Sequence, residues 1–291
     1  MQSLISRLGL GTAQFGLDAG APVRGRQPEA EVREMLAIAA ERGVALLDAG
    51  AASQHGEAVL GAVMARPAPF GIIIKAARGD RGPDYVEAQA RSSLARLGLN
   101  RADAIVVQSA GDLFSPWGQA LWDRLREMRE AGLFGRVGVS AYASDDPVGL
   151  VRRFQPDLIQ APASLLDQRL LTSGALREVH DMGVKVHLRS IFLNGLLFLP
   201  PDRVPAHLRG AAGRLSRARR MIAEGRSDPL QAALGFALSR PEADAVIVGA
   251  ATAAELSAVI AAAASPPPEL DWDDMALEDA AILDPAGVAA A

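Results

Sequence analysis

The chain has 291 residues, 49% of them hydrophobic and 22% charged, with a formal net charge of −4 at pH 7. This composition is typical of a folded globular protein, and the negative charge gives no reason to expect a nucleic-acid partner. The absence of cysteine excludes disulfides and thiolate metal ligands and favours a cytoplasmic location. No apolar run approaches membrane-spanning length and no signal sequence is found, so we expect no membrane partner.

Strand-like and helix-like segments alternate along the chain with short connections. The predicted strands are 8–15, 44–47, 71–75, 104–108, 137–140, 158–160, 184–190 and 245–249. The predicted helices are 28–42, 57–64, 84–97, 118–130, 146–154, 171–182, 230–238 and 253–263. Eight such units favour a single closed parallel (β/α)8 barrel, the TIM barrel, over two doubly wound sheets. We expect one domain over 1–291, with 264–291 as a tail packed on the barrel exterior.

Polar side chains recur where the predicted strands end. They are Asp48, Lys75, Gln108, Ser140, Gln160, Arg189 and Ser190. Ligands of parallel α/β folds bind at this edge, so we expect a site for a small-molecule substrate there. The sequence carries no GxGxxG after the first strand and no HExxH or Walker motif, which leaves a Rossmann site unsupported and predicts no metal. It predicts no particular oligomeric state.

Six stretches of the sequence resemble the aldo-keto reductases, in the correct order and over nearly the whole chain. They are LGLGTAQFGLDAG, LLDAGAASQHGEAVLG, GRVGVSAY, DLIQAPASLLDQRLL, VKVHLRSIFLNGLL and LGFALSRPEADAVIVGAATAAEL. The closest likeness is to the bacterial branch often found near polysaccharide genes. The resemblance implies a barrel with NADPH across its carboxyl-terminal mouth. It also implies reduction of carbonyls by hydride transfer, with a catalytic tetrad of Asp, Tyr, Lys and His.

Two members of that tetrad match this sequence and two do not. Asp48 and Lys75 stand at the Asp and Lys positions, whereas Ser53 and Gln54 replace the Tyr and the Gly that follows it, and Gln108 replaces the His. Hydride delivered to a carbonyl carbon leaves charge on the oxygen, which must be protonated or held by a donor. Since serine is a far weaker acid than a phenol, the resemblance implies a rearranged active site.

Each candidate catalytic residue has a second interpretation. His55 could donate a proton near neutrality or be a solvated loop histidine. Asp48 and Lys75 could act in catalysis or persist as a structural ion pair. Gln108 could bond a substrate oxygen or loop backbone, and Ser53 could bond a ligand hydroxyl or be a small loop residue.

The resemblance also implies residues for the nicotinamide end of a cofactor. Ser140 and Gln160 match positions that hold the carboxamide, although Ala141 replaces the asparagine expected after Ser140. Arg189 stands where many relatives have an aromatic residue beneath the nicotinamide. The loop that covers the pyrophosphate contains Ser190, Phe192 and Asn194.

The phosphate end is expected near the last predicted helix. Residues Gly249 to Thr252 could present backbone N–H groups to a phosphate. Glu255 stands where a basic residue is expected near the 2′-phosphate, and its carboxylate would repel that group. The cofactor is therefore NADPH, NADH or none.

An arginine-rich run precedes the acidic tail. Its members are Arg209, Arg214, Arg217, Arg219 and Arg220. The run could be the solvated face of a connecting helix or a site for an anionic substrate, and the tail 266–291 could pair with it.

Three classes of function remain open. The first is an NAD(P)H-dependent oxidoreductase with a rearranged tetrad, acting on a polar or sugar-like carbonyl. The second is a redox-neutral lyase or epimerase in which Asp48, Lys75 and His55 move protons. The third is a catalytically silent binding protein.

Overall fold

Eight parallel strands close into one barrel in the computed structural model, which describes residues 4–16, 28–49 and 54–283. The strands are β1 (Leu8–Gly11), β2 (Leu46–Ala49), β3 (Gly71–Lys75), β4 (Ala102–Val107), β5 (Phe134–Ser140), β6 (Leu158–Pro162), β7 (Lys185–Arg189) and β8 (Ala245–Gly249). Each strand pairs with the next, and β8 pairs with β1 in a register that places Gly11 opposite Gly249. The predicted (β/α)8 barrel is confirmed.

Helices surround the barrel. They are α1 (Glu29–Arg42), α2 (Gln54–Val63), α3 (Pro83–Leu97), α4 (Gly118–Glu130), α5 (Pro147–Phe154), α6 (Arg169–Thr172), α7 (Ala175–Asp181), α8 (Ala212–Glu224), α9 (Pro229–Leu238), α10 (Ala253–Ala264) and α11 (Ala280–Leu283). Helices α8 and α11 belong to a separate apolar cluster outside the barrel. No helix in the described ranges is long and apolar enough to cross a membrane.

The barrel interior explains where the polar strand ends point. Ile73, Val106 and Leu158 belong to a buried cluster distinct from the larger helix-facing core. Side chains two positions apart on a strand face the same side. Lys75 and Gln160 follow Ile73 and Leu158 by two positions and therefore point to the same interior, one layer nearer the mouth.

Several predicted element boundaries were wrong, and each has a local cause. The first strand ends at Gly11 instead of residue 15, because a short 3-10 helix begins at Ala13. The second strand begins at Leu46 instead of residue 44, since the Val44 N–H still bonds the carbonyl of Ala39 at the end of α1.

The predicted helix 171–182 is two helices, α6 and α7. Gly174 lies between them with a φ of 76°, in the left-handed region that favours glycine. Helix α6 therefore ends at Thr172, and α7 begins at Ala175.

The arginine run lies on and just before α8. Arg209, Arg214 and Arg220 are exposed. Arg217 forms an ion pair with Asp274 of the acidic segment. Arg219 instead turns inward and donates to the carbonyl of Leu197 at 3.2 Å, and burial lowers the pKa of its guanidinium.

The acidic segment packs on neighbouring elements as far as the structure describes it. The ring of Trp272 lies 5.5 Å from that of Phe236 on α9. The Leu277 N–H donates to the carbonyl of Leu166 at 2.8 Å.

Candidate active site

Asp48, Lys75 and Gln160 form a hydrogen-bonded cluster at the carboxyl ends of β2, β3 and β6. Lys75 Nζ lies 2.9 Å from Asp48 Oδ1, and their side chains are only 12% and 10% exposed. Lys75 also donates to Gln160 Oε1, and Gln160 Nε2 approaches Asp48 Oδ2 at 3.4 Å. Gln160 is fully buried. Its amide thus orients both members of the ion pair.

The electrostatics of Lys75 reflect competing influences. Burial lowers the pKa of its ammonium, because the charged form loses hydration. The neighbouring Asp48 carboxylate acts in the opposite direction, and the positive charge of Arg189 lowers the pKa further. Lys75 is therefore more ready to release a proton than an exposed lysine.

These side chains line a cavity of about 670 Å³ at the mouth, which we call the mouth cavity. Six of its lining residues are predicted site residues: Asp48, Lys75, Gln108, Ser140, Gln160 and Arg189. Five others were missed by sequence reasoning: Arg78, Ser109, Tyr142, Ser144 and Asp145. The structure thus brings together most of the predicted polar strand ends.

Arg189 stacks on an aromatic ring within the mouth cavity. Its Cζ lies 4.2 Å from the centroid of the Tyr142 ring, a distance typical of a cation–π contact. Arg189 Nη1 approaches Ser190 Oγ at 3.3 Å. Tyr142 follows β5 by two residues, so the alternation of side chains that identified Ser140 also indicates Tyr142.

Arg78 reaches the mouth from the loop after β3. Its guanidinium makes a forked contact with Asp112, with Nε 3.1 Å from both carboxylate oxygens and Nη2 2.9 Å from Oδ1. The Gly79 N–H also donates to Asp112 at 3.1 Å. Asp112 is buried and fixes this loop beside Lys75.

The remaining predicted catalytic residues lie apart from the cluster or outside the described residues. His55 is exposed in the first turn of α2 and does not line the mouth cavity. Ser53 lies outside the described residues. Gln108 follows β4 and lines both the mouth cavity and an adjoining cavity of about 320 Å³.

The predicted pyrophosphate loop follows β7. Ser190 adopts a φ of 58°, a left-handed conformation uncommon outside glycine. The Phe192 ring lies 5.3 Å from that of Phe198 and packs against an apolar cluster. The backbone of Asn194 lies in the 3-10 helix Leu193–Phe198. Phe192 does not line the mouth cavity.

The amino terminus of α10 already has carboxylate partners. Thr252 caps the helix by accepting from the Glu255 N–H at 3.1 Å, and Glu255 Oε2 accepts from the Ala251 N–H at 2.8 Å. Glu31 of α1 accepts from the Ala253 N–H at 2.6 Å. Two N–H groups at this terminus thus already bond carboxylates instead of being available to a phosphate. Gly249 ends β8 beside them and is exposed.

A buried histidine below the mouth was missed by sequence reasoning. His187 lies on β7 two residues before Arg189 and pairs in register with Gln160. Burial lowers its pKa to about 4, although Asp48 and Asp244 act in the opposite direction. Its Nδ1 has no hydrogen-bond partner among the described residues. The same alternation along β7 that places Arg189 at the mouth indicates His187 one layer below.

The described ranges contain no evident set of metal ligands. No group of three or more His, Cys, Asp or Glu side chains there is arranged to hold a metal ion.

Comparisons with known proteins agree with the barrel fold. The model of the Aldo/keto reductase family matches residues 7–281. An aldo-keto reductase from Mycolicibacterium smegmatis is 30% identical over 161 residues, an alignment covering 54% of this chain and 55% of the relative. The alignment thus spans about half the length of that relative.

Solved structures show the same fold. The holo form of aldo-keto reductase AKR11C1 from Bacillus halodurans superposes with a TM-score of 0.73 at 20% identity, covering 90% of this chain and 87% of that one. Its apo form gives a TM-score of 0.72 at 19% identity, covering 92% and 90%. The match of the family model over nearly the whole barrel carries the assignment: the chain belongs to the aldo/keto reductase family.

Proposed function

We propose that this chain is an oxidoreductase that uses a nicotinamide cofactor to reduce a polar or sugar-like carbonyl in the mouth cavity, with a rearranged active site. The observation that carries the proposal is the enclosed cluster of Asp48, Lys75 and Gln160 beside a cavity of about 670 Å³. Membership of the family supports the reaction. The substrate class is proposed from the sequence resemblance to the family's bacterial polysaccharide-associated branch.

The residues at the two ends of the expected cofactor path differ in how well they fit a dinucleotide. At the nicotinamide end, Ser140 is buried and lines the mouth cavity beside Gln160, which fits a polar carboxamide. At the other end, Glu255 and Glu31 already bond the N–H groups of α10. An added 2′-phosphate would meet both carboxylates, so the residues favour NADH over NADPH.

Lys75 is the residue that we propose to act on the carbonyl oxygen. A bound nicotinamide supplies the hydride for the carbonyl carbon. The Lys75 ammonium holds the negative charge that develops on the oxygen and can release a proton to it, since burial lowers its pKa. Asp48 and Gln160 fix the position of Nζ. Gln108 is a further neutral donor for the same oxygen, as it lines the same cavity.

Dinucleotide titration of the whole chain tests the proposal. Binding of NADH or NADPH is followed by intrinsic fluorescence, and reduction of aldehydes by loss of nicotinamide absorbance. We expect binding of NADH, weaker binding of NADPH, and reduction of a polar aldehyde. Absence of binding by either dinucleotide would refute a nicotinamide-dependent reaction.

A redox-neutral lyase or epimerase is the second candidate. It is favoured by the occupied N–H groups at α10, which weaken the case for a dinucleotide phosphate. In that mechanism Lys75 and Asp48 transfer protons at a carbon next to a carbonyl. Turnover of such a substrate with no nicotinamide added or consumed would select this reaction over reduction.

A further inference from the structure

Arg189 has two guanidinium nitrogens without an acceptor. Its Nε and Nη2 are buried and have no hydrogen-bond partner among the described residues, whereas Nη1 approaches Ser190 Oγ at 3.3 Å. The Tyr142 ring lies against the guanidinium at 4.2 Å. Leaving buried charged donors without an acceptor costs free energy. The Nε–Nη2 edge of Arg189 is therefore suited to bind an acceptor from a ligand. Because both nitrogens are enclosed, binding requires the Arg189 side chain to shift within the cavity that it lines.

Arg78 shows which acceptor fits that edge. In Arg78 the same pair of nitrogens, Nε and Nη2, makes a forked contact with the carboxylate of Asp112. A planar guanidinium matches a carboxylate or phosphate through two parallel N–H donors. Arg189 offers the equivalent fork with no protein carboxylate on it.

The other charges of the mouth cavity already have partners. Lys75 is paired with Asp48, and Arg78 with Asp112. Asp145 also lines the cavity, and its Oδ2 accepts from the Tyr142 N–H at 2.8 Å. Within the described ranges, Arg189 is thus the cation lining this cavity that lacks an ion pair with a carboxylate.

Strand register places Arg189 one layer nearer the mouth than Gln160, the residue that Lys75 contacts. Gln160, which contacts Lys75, is opposite His187, and Arg189 lies two residues further toward the mouth. Two residues along a strand correspond to about 7 Å. Because Lys75 and Arg189 line the same mouth cavity, a short molecule with a carbonyl at one end and an anion at the other can contact both residues.

We propose that the Nε–Nη2 edge of Arg189 binds a carboxylate of the substrate, so that the carbonyl compound reduced at Lys75 is a short oxo acid. The assignment rests on the proposed function for its reaction and on the geometry of Arg189 for its substrate class. The pyrophosphate of a dinucleotide offers the same forked chemistry, and the experiment separates the two sources.

The first arm compares two aldehydes of equal chain length, succinic semialdehyde and butanal, at saturating NADH. The wild type is expected to prefer the semialdehyde in kcat/KM. Arg189→Gln is expected to reduce that preference by roughly 100-fold, mainly through KM, because a charge-assisted fork is lost. Arg189→Lys keeps the charge without the fork and should recover part of the preference. Arg214→Gln removes an exposed arginine of α8 and serves as the matched control.

The second arm measures binding without turnover. Succinate and the neutral succinamide are titrated calorimetrically into the whole protein, and the affinity for NADH is measured separately. Succinate should bind the wild type in preference to succinamide, and Arg189→Gln should weaken succinate binding about 10-fold or more. Circular dichroism establishes that each variant is folded.

The outcomes distinguish the hypotheses. An unchanged preference between the aldehydes, together with weaker NADH binding in Arg189→Gln, would assign the edge to the pyrophosphate and overturn the substrate assignment. Failure of succinate to bind the wild type would also overturn it. If neither aldehyde is reduced but succinate binds through Arg189, the proposed reduction fails while the carboxylate site stands.

Discussion

Lys75 and Asp48 neutralise each other inside the mouth, with Nζ and Oδ1 separated by 2.9 Å and little of either side chain exposed. A pair of this kind has two consequences. Its geometry can position an ammonium for chemistry, and loss of one member leaves an uncompensated charge in a poorly hydrated place. Activity and stability should therefore respond together to substitutions of either residue.

Lys75→Met is predicted to abolish activity and to lower the free energy of unfolding by about 3 kcal/mol, because Asp48 loses its counter-charge. Turnover and urea denaturation measure the two effects. The double variant Asp48→Asn with Lys75→Met removes both charges and should recover part of the stability but none of the activity. Full turnover in Lys75→Met would remove Lys75 from the mechanism.

Ser53→Tyr is predicted to strengthen reduction of a simple aldehyde by about 10²-fold, the scale of general acid catalysis. The prediction comes from the sequence, since Tyr occupies this position in the family that the chain resembles. Ser53→Phe supplies the ring without the hydroxyl and is the matched control. Steady-state rates with saturating cofactor provide the measurement, and equal rates in both variants would show that the pocket has diverged beyond the tetrad.

His187 is predicted to make the protein more sensitive to acid. Its pKa is about 4 in the folded protein and near 6.5 when unfolded, so the unfolded chain binds the extra proton between these values. The contribution of neutral His187 to the free energy of unfolding is fully present above pH 6.5 and declines as the pH falls toward 4. The loss over that range is on the order of 3 kcal/mol.

The measurement is the free energy of unfolding in urea at pH 7 and at pH 4.5. His187→Gln should lose less stability between these pH values than the wild type, whereas His180→Gln, at an exposed position of α7, should behave like the wild type. Identical acid sensitivity in wild type and His187→Gln would contradict the prediction.

Glu255→Lys is predicted to shift dinucleotide preference toward NADPH by at least about tenfold, because it replaces a repelling carboxylate with a cation near the helix terminus. Dissociation constants for NADH and NADPH are compared by fluorescence. Glu130→Lys makes the same change of charge at an exposed site at the end of α4. An equal shift in both variants would point to net charge instead of a phosphate site at α10.

The sequence predicted the barrel because its periodicity and the order of its segments are local properties. It also predicted the polar ends of β2, β3 and β6, since strand ends in a parallel barrel meet at one mouth. The contact between Arg189 and Tyr142 was not predicted, because Tyr142 lies two residues beyond the end of β5 and was not among the polar strand ends that the sequence identified.

The carboxylate partners of α10 show a second limit of prediction from the sequence. Glu255 could be identified as a repelling charge from its position in the sequence, but its bond to the Ala251 N–H depends on the capping geometry. Glu31 reaches the same terminus from α1, more than 200 residues earlier in the chain, and no local pattern indicates that contact. The break at Gly174 was likewise set by a left-handed backbone conformation that periodicity does not reveal.

The pairing of β1 with β8 has a consequence for biosynthesis. The amino-terminal strand emerges from the ribosome long before its second partner, so one edge of the nascent sheet stays unpaired until most of the polypeptide has been translated. Contacts of such long sequence separation slow folding, and exposed sheet edges invite aggregation in the interval. Because the barrel closes only when β8 pairs with β1, we expect expression of the protein to depend on chaperones.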